Sequence, residues 1–148
     1  MITEGELAPD DVVTTVDADR IDLRAPGSPL VLFFFREAGS PASTDLVRDF
    51  DDQHYEFDAV GVRVVGVGVD GPERTAAFAA SCGLRYPLAD DASREVCRAF
   101  GVLDAADNRP HPTTFMIDVD GVIRRVFAGI PPFGHALDVV DDAREFWG

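Results

Sequence analysis

Two serines, Ser40 and Ser43, stand where an apolar run ends and a helix-like pattern begins. A thiol at such a place loses its proton near neutral pH and becomes a nucleophile, because free backbone N–H groups and the helix dipole stabilise a thiolate. A serine hydroxyl stays protonated and forms neither disulfides nor sulfenic acids. It does suit the first turn of a helix, where it accepts N–H hydrogen bonds. The pair therefore predicts a helix cap that presents a small polar pocket.

The two cysteines, Cys82 and Cys97, are too few for a disulfide framework and match no metal-ligand spacing. Cys82, at the end of a predicted helix, is a candidate redox thiol, but a half-buried packing residue is the preferred interpretation. Cys97 lies beside Val96 and Phe100, which favours core packing. A disulfide between them is conceivable because their helices flank the short segment 86–88, but the reducing cytosol disfavours it.

Histidines and adjacent aspartates are the remaining candidate ligands. His111 precedes Pro112 and is expected near the two serines, His54 lies on the inward stripe of its helix, and His135 opens the last helix. No carboxylate stands at a ligand spacing from them, so the sequence predicts no metal site, and no cofactor is expected. Three aspartate pairs are expected to be solvated surface: Asp51-Asp52, Asp90-Asp91 and Asp141-Asp142.

Charge and length limit the possible classes of protein. The 148 residues carry a net charge of −14, which disfavours nucleic acid and anionic membranes as partners. No apolar stretch reaches the ~18 residues that a membrane helix needs. The first residues lack the basic-then-apolar pattern of a signal peptide. We therefore expect a cytoplasmic protein, and the length and the 46% apolar content predict one domain over residues 1–148.

The charged residues are also unusual in type, since all 13 basic residues are arginine and the acids are 20 aspartates and 7 glutamates. Such a chain repels itself in dilute buffer, whereas salt near 1 M reduces the Debye length to ~3 Å and screens the repulsion. We predict adaptation to high salt, with a free energy of unfolding that rises from dilute buffer to molar KCl. Equal stability in the two solutions, measured by denaturant unfolding, contradicts this hypothesis.

The elements that must position these residues alternate between strands and helices. The run 30–35 is apolar without alternation, as in a strand covered on both faces of a sheet. After this run in the sequence, apolar residues and His54 recur at three- and four-residue steps, which predicts a helix from about Pro41 to Phe57. Gly66-Val67-Gly68 lies inside an apolar strand, so it is not a phosphate loop.

The remaining pattern predicts nine further segments. Asp120-Gly121 is a strong hairpin signal between two of the strands. The last helix carries Ala136, Leu137, Val140 and Phe146 on one stripe. The predicted strands are 12–16, 20–23, 62–69, 113–119 and 122–127, with a short extended piece at 86–88, and the predicted helices are 72–81, 92–100 and 134–146.

This order of elements predicts an α/β fold. A strand–helix–strand order calls for a parallel crossover, while the late hairpin adds antiparallel strands. We therefore expect a thioredoxin-like fold with a central mixed β-sheet and helices on both faces.

Several segments, in the right order and spacing, resemble the AhpC/TSA redoxin group, a peroxiredoxin-like branch of the thioredoxin superfamily. They are Gly5-Glu6-Leu7-Ala8-Pro9-Asp10, the strand 30–35, Pro112-Thr113-Thr114-Phe115-Met116-Ile117-Asp118 with Asp120-Gly121, and Phe127-Ala128-Gly129. The resemblance implies thiol-dependent reduction of peroxides or disulfides. It places the attacking atom at position 43, a partner at position 40 and Pro112 at the cleft.

Residues 35–43 can be aligned with two patterns of this group. In the peroxidatic pattern Pro-x-x-x-Thr-x-x-Cys, the cysteine falls on Ser43, the threonine on Ser40 and the proline on Arg36. In the redoxin variant, Phe-Arg followed by Gly or Trp and then Cys-Pro-x-Cys, Arg36 and Pro41 match and both cysteines are serines. The second pattern fits better, because Pro112 stands where peroxidatic relatives tend to carry an arginine. Disulfide-handling relatives carry a proline there, usually cis.

The family activity requires a thiol that both patterns lack here. The first hypothesis is a degenerate antioxidant oxidoreductase, inactive or dependent on Cys82, which lies roughly where some relatives keep a resolving cysteine. The alternative is a non-catalytic module that holds a peptide or protein partner at the Pro112 cleft. The serines could be natural or an engineered knockout, and a natural degenerate member is preferred. A thiol reductant or a protein is the expected partner, and the chain is a monomer or a homodimer.

Overall fold

A computed structural model describes residues 1–148, and it contains seven strands and five helices. The order is β1 (Val12–Thr14), β2 (Arg20–Asp22), β3 (Leu30–Phe34), α1 (Pro41–Asp52), α2 (His54–Ala59), β4 (Arg63–Gly68), α3 (Pro72–Cys82), β5 (Leu88–Asp90), α4 (Glu95–Phe100), β6 (Thr113–Ile117), β7 (Ile123–Ala128) and α5 (His135–Trp147).

The central sheet is mixed, as the sequence predicts. Its strand order is β5-β4-β3-β6-β7, with β3 parallel to β4, β4 parallel to β5, and β6 antiparallel to both β3 and β7. The hairpin β1-β2 forms a separate small sheet, and an isolated bridge from Thr15 to Ala89 attaches it to the β5 edge. The crossover and the late hairpin together put the carboxyl end of β3 next to the start of β6.

Strand β3 separates two hydrophobic cores. All five of its residues are buried, which explains why its sequence is apolar without alternation. Val31 and Phe33 face one cluster, which α1, α2, α3 and α5 cover, and Leu32 and Phe34 face the other, beneath α4 and the β1-β2 hairpin. The predicted fold, a mixed sheet with helices on both faces, is confirmed.

Two glycines in β4 make room for aromatic rings of the first cluster. A Cβ atom added to Gly68 lies 2.5 Å from the ring of Phe35, and one added to Gly66 lies 2.6 Å from the ring of Phe33. Both distances are far below van der Waals contact, so only glycine fits at these positions. These glycines therefore serve packing, consistent with their position inside a strand.

Two predicted helices have different bounds in the structure. The helix expected over residues 41–57 is interrupted at Gln53, which leaves the helical region with φ −100° and ψ 12° and separates α1 from α2. Helix α4 begins at Glu95 and not at residue 92, because Arg94 has a left-handed φ of 64°. Asp91 then accepts the free N–H groups of the first turn of α4.

The buried stripe of α5 also differs from the prediction. It consists of Ala136, Val139, Val140 and Ala143, which follow helical spacing. Leu137 was expected on this stripe, but it is 50% exposed because it lies about 100° around the helix from Ala136. The helix is thus anchored by small and β-branched residues.

His135 is buried at the start of α5, between the rings of Phe50 and Phe127. Its Nε2 atom lies 2.8 Å from the hydroxyl of Thr114 on β6. Burial lowers the pKa of His135 from its ordinary 6.5 to about 4, although Asp49 and Asp138 oppose the shift. The imidazole therefore stays neutral in the folded protein over the range in which the unfolded chain takes up a proton.

This difference predicts a loss of stability in acid. Between pH 6.5 and 4 the unfolded chain binds up to one more proton at His135 than the folded chain, so falling pH favours unfolding. We expect the wild type to lose up to about 3 kcal/mol relative to His135→Gln between pH 7 and pH 4. Urea unfolding of both proteins at several pH values measures this difference.

Thr114→Val is the matched control, because it removes the hydrogen bond but keeps the titrating imidazole. It should show the same acid-dependent loss as the wild type. Equal pH dependence of the wild type and His135→Gln contradicts the assignment.

Candidate functional site

A pocket of about 400 Å³ opens at the N-terminus of α1. It brings together four of the residues singled out in the sequence, namely Arg36, Ser40, Ser43 and Pro112. The other lining residues are Glu37, Ala42, Leu46, Asp107, Arg109, Ile130 and Pro132.

Ser40 is the N-cap of α1. Its backbone is extended, with φ −66° and ψ 150°, and its Oγ accepts the N–H of Ser43 at 3.2 Å. The same hydroxyl donates to the carbonyl of Glu37 at 3.1 Å. Pro41, which has no N–H to satisfy, occupies the first helical position. The local sequence therefore begins the helix here and fixes the pocket beside its first turn.

Ser43 lies in that first turn and is only 4% exposed. Its Oγ accepts the N–H of Glu37 at 3.3 Å, and no group of the protein accepts the hydroxyl proton. A hydrogen bond from a backbone N–H to this position is an interaction that stabilises a thiolate. With serine in place, the pocket instead presents a neutral hydroxyl donor.

A buried carboxylate, Asp70, holds the segment that leads into α1. Its side chain is 1% exposed, and it accepts the N–H of Ala38 at 2.8 Å and Nη1 of Arg109 at 3.0 Å. The same Nη1 atom donates to the carbonyl of Arg36 at 2.8 Å. Asp70 and Arg109 thus fix two backbone groups beside the pocket.

Sequence reasoning missed both residues of this pair. Asp70 lies two residues beyond Gly68, the last residue of β4, and the carboxyl end of a parallel strand is a common place for functional side chains, which was the available signal. Arg109 lies in an irregular loop 39 residues further on, and nothing in its neighbourhood pointed to Asp70.

Arg36 fastens a loop to the pocket wall. Its guanidinium pairs with Asp107 and lies 3.6 Å from the carboxylate of Asp104. The pKa of Asp104 lies below its ordinary value, chiefly because its carboxylate accepts the N–H of Ala106, with His111 and Arg36 adding to the effect. The loop from α4 to β6, which contains Asp104 and Asp107, therefore forms one side of the pocket, and ion pairs with Arg36 hold it there.

Pro112 lies at the pocket, but its peptide bond is trans, since the structure contains no cis peptide bond. The prediction of a cis bond is therefore wrong. Before Pro112 the chain is extended. Pro110 forms an isolated β-bridge with Leu103, and the N–H of His111 donates to the carbonyl of Val102 at 2.7 Å. An extended residue before proline is compatible with the more stable trans isomer.

The other candidate side chains lie outside the pocket. His111 is exposed and does not line it, despite its place next to Pro112. Cys82 is half-buried at the end of α3 and packs against the first cluster, whereas Cys97 is buried in the second. Burial, reinforced by Asp91, raises the pKa of the Cys97 thiol. Both cysteines are free, and the sheet separates them.

The expectation that the paired aspartates are merely solvated is wrong for at least one member of each pair, including Asp142, which accepts Nε of Arg125 at 3.1 Å. Asp91 is 7% exposed and accepts the N–H of Cys97 at 2.8 Å. Asp90 accepts the N–H of Gly71 at 2.8 Å, and Asp51 forms hydrogen bonds with Arg85. Loop and helix-start N–H groups need acceptors, and these carboxylates supply them.

No group of three or more His, Cys, Asp or Glu side chains is arranged to hold a metal ion. No helix is long and apolar enough to cross a membrane.

A mixed sheet in this order, with a pocket at the start of the helix that follows the central strand, defines a thioredoxin-like redoxin. The AhpC/TSA family model matches residues 5–126, and the chain belongs to this family. A putative peroxiredoxin of Mycobacterium tuberculosis is 30% identical, over 95% of this chain and 94% of the relative. The peroxiredoxin Bcp of Escherichia coli is 28% identical, over 88% of each.

Solved structures show the same likeness in three dimensions. The peroxidoxin BcpB of Mycobacterium tuberculosis aligns with a TM-score of 0.89 at 27% identity, covering 100% of both chains. The bacterioferritin comigratory protein of Xanthomonas campestris aligns with a TM-score of 0.88 at 25% identity, covering 99% of this chain and 100% of the other. The predicted family is thereby confirmed.

Proposed function

We propose that this chain is a degenerate member of its antioxidant oxidoreductase family, in which no thiol peroxidase reaction occurs at position 43. The observation that carries the proposal is the place of Ser43, which is buried at the helix N-terminus with its Oγ on the N–H of Glu37. The family reaction needs an ionised thiol at that place. A hydroxyl does not ionise at cellular pH, and it cannot form a sulfenic acid with a peroxide.

The peroxidatic pattern is now better supported than the Cys-Pro-x-Cys pattern that the sequence favours. The relatives are peroxiredoxins, and Pro112 lacks the cis bond expected of disulfide-handling relatives. On this alignment Ser43 replaces the attacking cysteine and Ser40 the threonine. Arg36 and Pro112 also depart from the pattern, so the chain differs from a working peroxidase at several positions of one pocket.

Cys82 is the one half-buried thiol available for residual redox activity, since Cys97 is fully buried. Cys82 lies outside the pocket, and position 43, inside the pocket, has no sulfur with which Cys82 could react. We therefore expect no peroxide turnover by the wild type. Peroxide consumption with dithiothreitol as the reductant tests this, with Cys82→Ser and a variant lacking both cysteines beside the wild type.

The outcomes of this assay are distinct. Turnover that disappears in Cys82→Ser assigns activity to that thiol and contradicts an inactive chain. Turnover that survives loss of both cysteines means that the site has been misassigned. Absence of turnover in all three proteins is the expected result.

A second candidate function is a non-catalytic binding module that uses the same pocket. The observation that favours it is the pocket itself, which remains open and is held by Asp70 and Arg109 although the attacking thiol is missing. A site without a reaction still binds a ligand if its donors and apolar walls are ordered.

Several wider properties belong to the same proposal. We propose one domain over residues 1–148, a cytoplasmic location and adaptation to high salt, consistent with the net charge of −14. A thiol reductant is the expected partner if Cys82 is active, and a ligand or protein at the pocket is the expected partner if it is not. The chain is proposed to act as a monomer or a homodimer.

A further inference from the structure

We infer that the pocket at the start of α1 binds a small carboxylate with a short apolar body. This inference rests on the proposed binding function and names the chemistry of its ligand. It begins from hydrogen-bond donors beside the pocket that have no acceptor in the protein.

Three residues at this place keep donors that have no acceptor in the protein. The hydroxyl proton of Ser43 has no protein acceptor, although the residue is 4% exposed. The N–H of Ala42, in the first turn of α1, makes no hydrogen bond. Arg109 uses only Nη1, for Asp70 and the carbonyl of Arg36, so its Nε and Nη2 atoms keep free protons. Of these residues only Ser43 is buried, but all three line the pocket, and pocket-lining donors that have no protein acceptor favour a ligand that supplies acceptors.

The acceptors that line the pocket do not meet this need. Asp107 is engaged by Arg36. The backbone N–H of Glu37 donates to Ser43, and the exposed carboxylate of Glu37, which also lines the pocket, accepts from none of these donors. A ligand carboxylate has two oxygens with lone pairs for several donors, and such charge-assisted hydrogen bonds are stronger than neutral ones.

The remaining walls are apolar and select the rest of the ligand. Leu46 and Ile130 are almost fully buried, and Pro112 and Pro132 complete this side. Apolar contact with these residues favours an aliphatic body. Phosphate or sulfate lacks such a body, and a doubly charged anion is further disfavoured by the net charge of −14.

Hexanoate and hexanamide are a suitable pair of probes, since they share a body and differ in the charge of the head. Isothermal titration, without peroxide or reductant, should give an affinity for hexanoate at least about tenfold higher than for hexanamide. Ser43→Ala should weaken hexanoate binding by about tenfold or more. Ser81→Ala is the matched control, because Ser81 lies on α3 outside the pocket, and it should bind as the wild type does.

Equal affinities for hexanoate and hexanamide overturn the inference, and so does unchanged hexanoate binding by a folded Ser43→Ala. If that variant fails to fold, the comparison of the two probes on the wild type decides alone. Peroxide turnover by the wild type, measured separately, contradicts the degenerate function without changing the binding result. The two proposals can therefore fail independently.

Discussion

Ser43→Cys is expected to introduce peroxide consumption at least about tenfold above that of the wild type, with a thiol reductant present. The new sulfur takes the place of the hydroxyl at the start of α1, where the N–H of Glu37 already points at that atom. The N–H group and the helix dipole stabilise the thiolate and so lower the thiol pKa. Arg36 and Pro112, which depart from the peroxidatic pattern, limit the gain.

Ser81→Cys is the matched control for this gain of activity. It also adds one thiol, but on the exposed last turn of α3, where the helix dipole disfavours a thiolate. The thiol pKa of each variant, measured by alkylation rate against pH, should be lower at position 43. If Ser43→Cys consumes peroxide no faster than Ser81→Cys, position 43 is not the equivalent of the attacking cysteine.

Asp70→Ala is expected to lower the free energy of unfolding by about 2 to 4 kcal/mol, because it leaves buried partners of the carboxylate without an acceptor. The N–H of Ala38 and Nη1 of Arg109 both lose a hydrogen bond. Hydrogen exchange at Ala38 should speed up together with the loss of stability, since this N–H then has no acceptor. Denaturant unfolding and exchange measurements on the same protein check both effects.

Asp141→Ala serves as the control for charge and for loss of an ion pair. Asp141 is 64% exposed and pairs with Arg144 at 3.7 Å on the surface of α5, so we expect a change within about 0.5 kcal/mol. If Asp70→Ala is no more destabilising than Asp141→Ala, the buried carboxylate does not hold the segment before α1.

The sequence predicts the sheet well because its strands carry local signals. The run 30–35 is fully apolar, since both faces of β3 are buried, and Asp120-Gly121 marks the hairpin that follows β6. The cap at Ser40 was also predictable, since a serine before Pro41 is a strong helix start. These features depend on neighbours in the chain.

The missed features depend on contacts between distant segments or on small backbone changes. Asp70 and Arg109 meet only because β4 and the loop before β6 end at the same side of the sheet. The break between α1 and α2 at Gln53 contains no glycine or proline that could have predicted it from the sequence. The isomer of Pro112 is set by how the preceding loop enters β6, and its sequence fits either form.

Two parts of the pocket are held by different kinds of contact: the segment before α1, here called the floor, and the loop that contains Asp104 and Asp107, here called the wall. The floor is tied by Asp70, whose carboxylate is out of contact with solvent, while the wall is tied by Arg36 to Asp104 and Asp107 through pairs that ions can reach. Dissolved ions weaken the second kind of contact far more than the first. Ionic strength should therefore set how quickly a molecule enters and leaves this cavity, while the geometry that receives it stays the same.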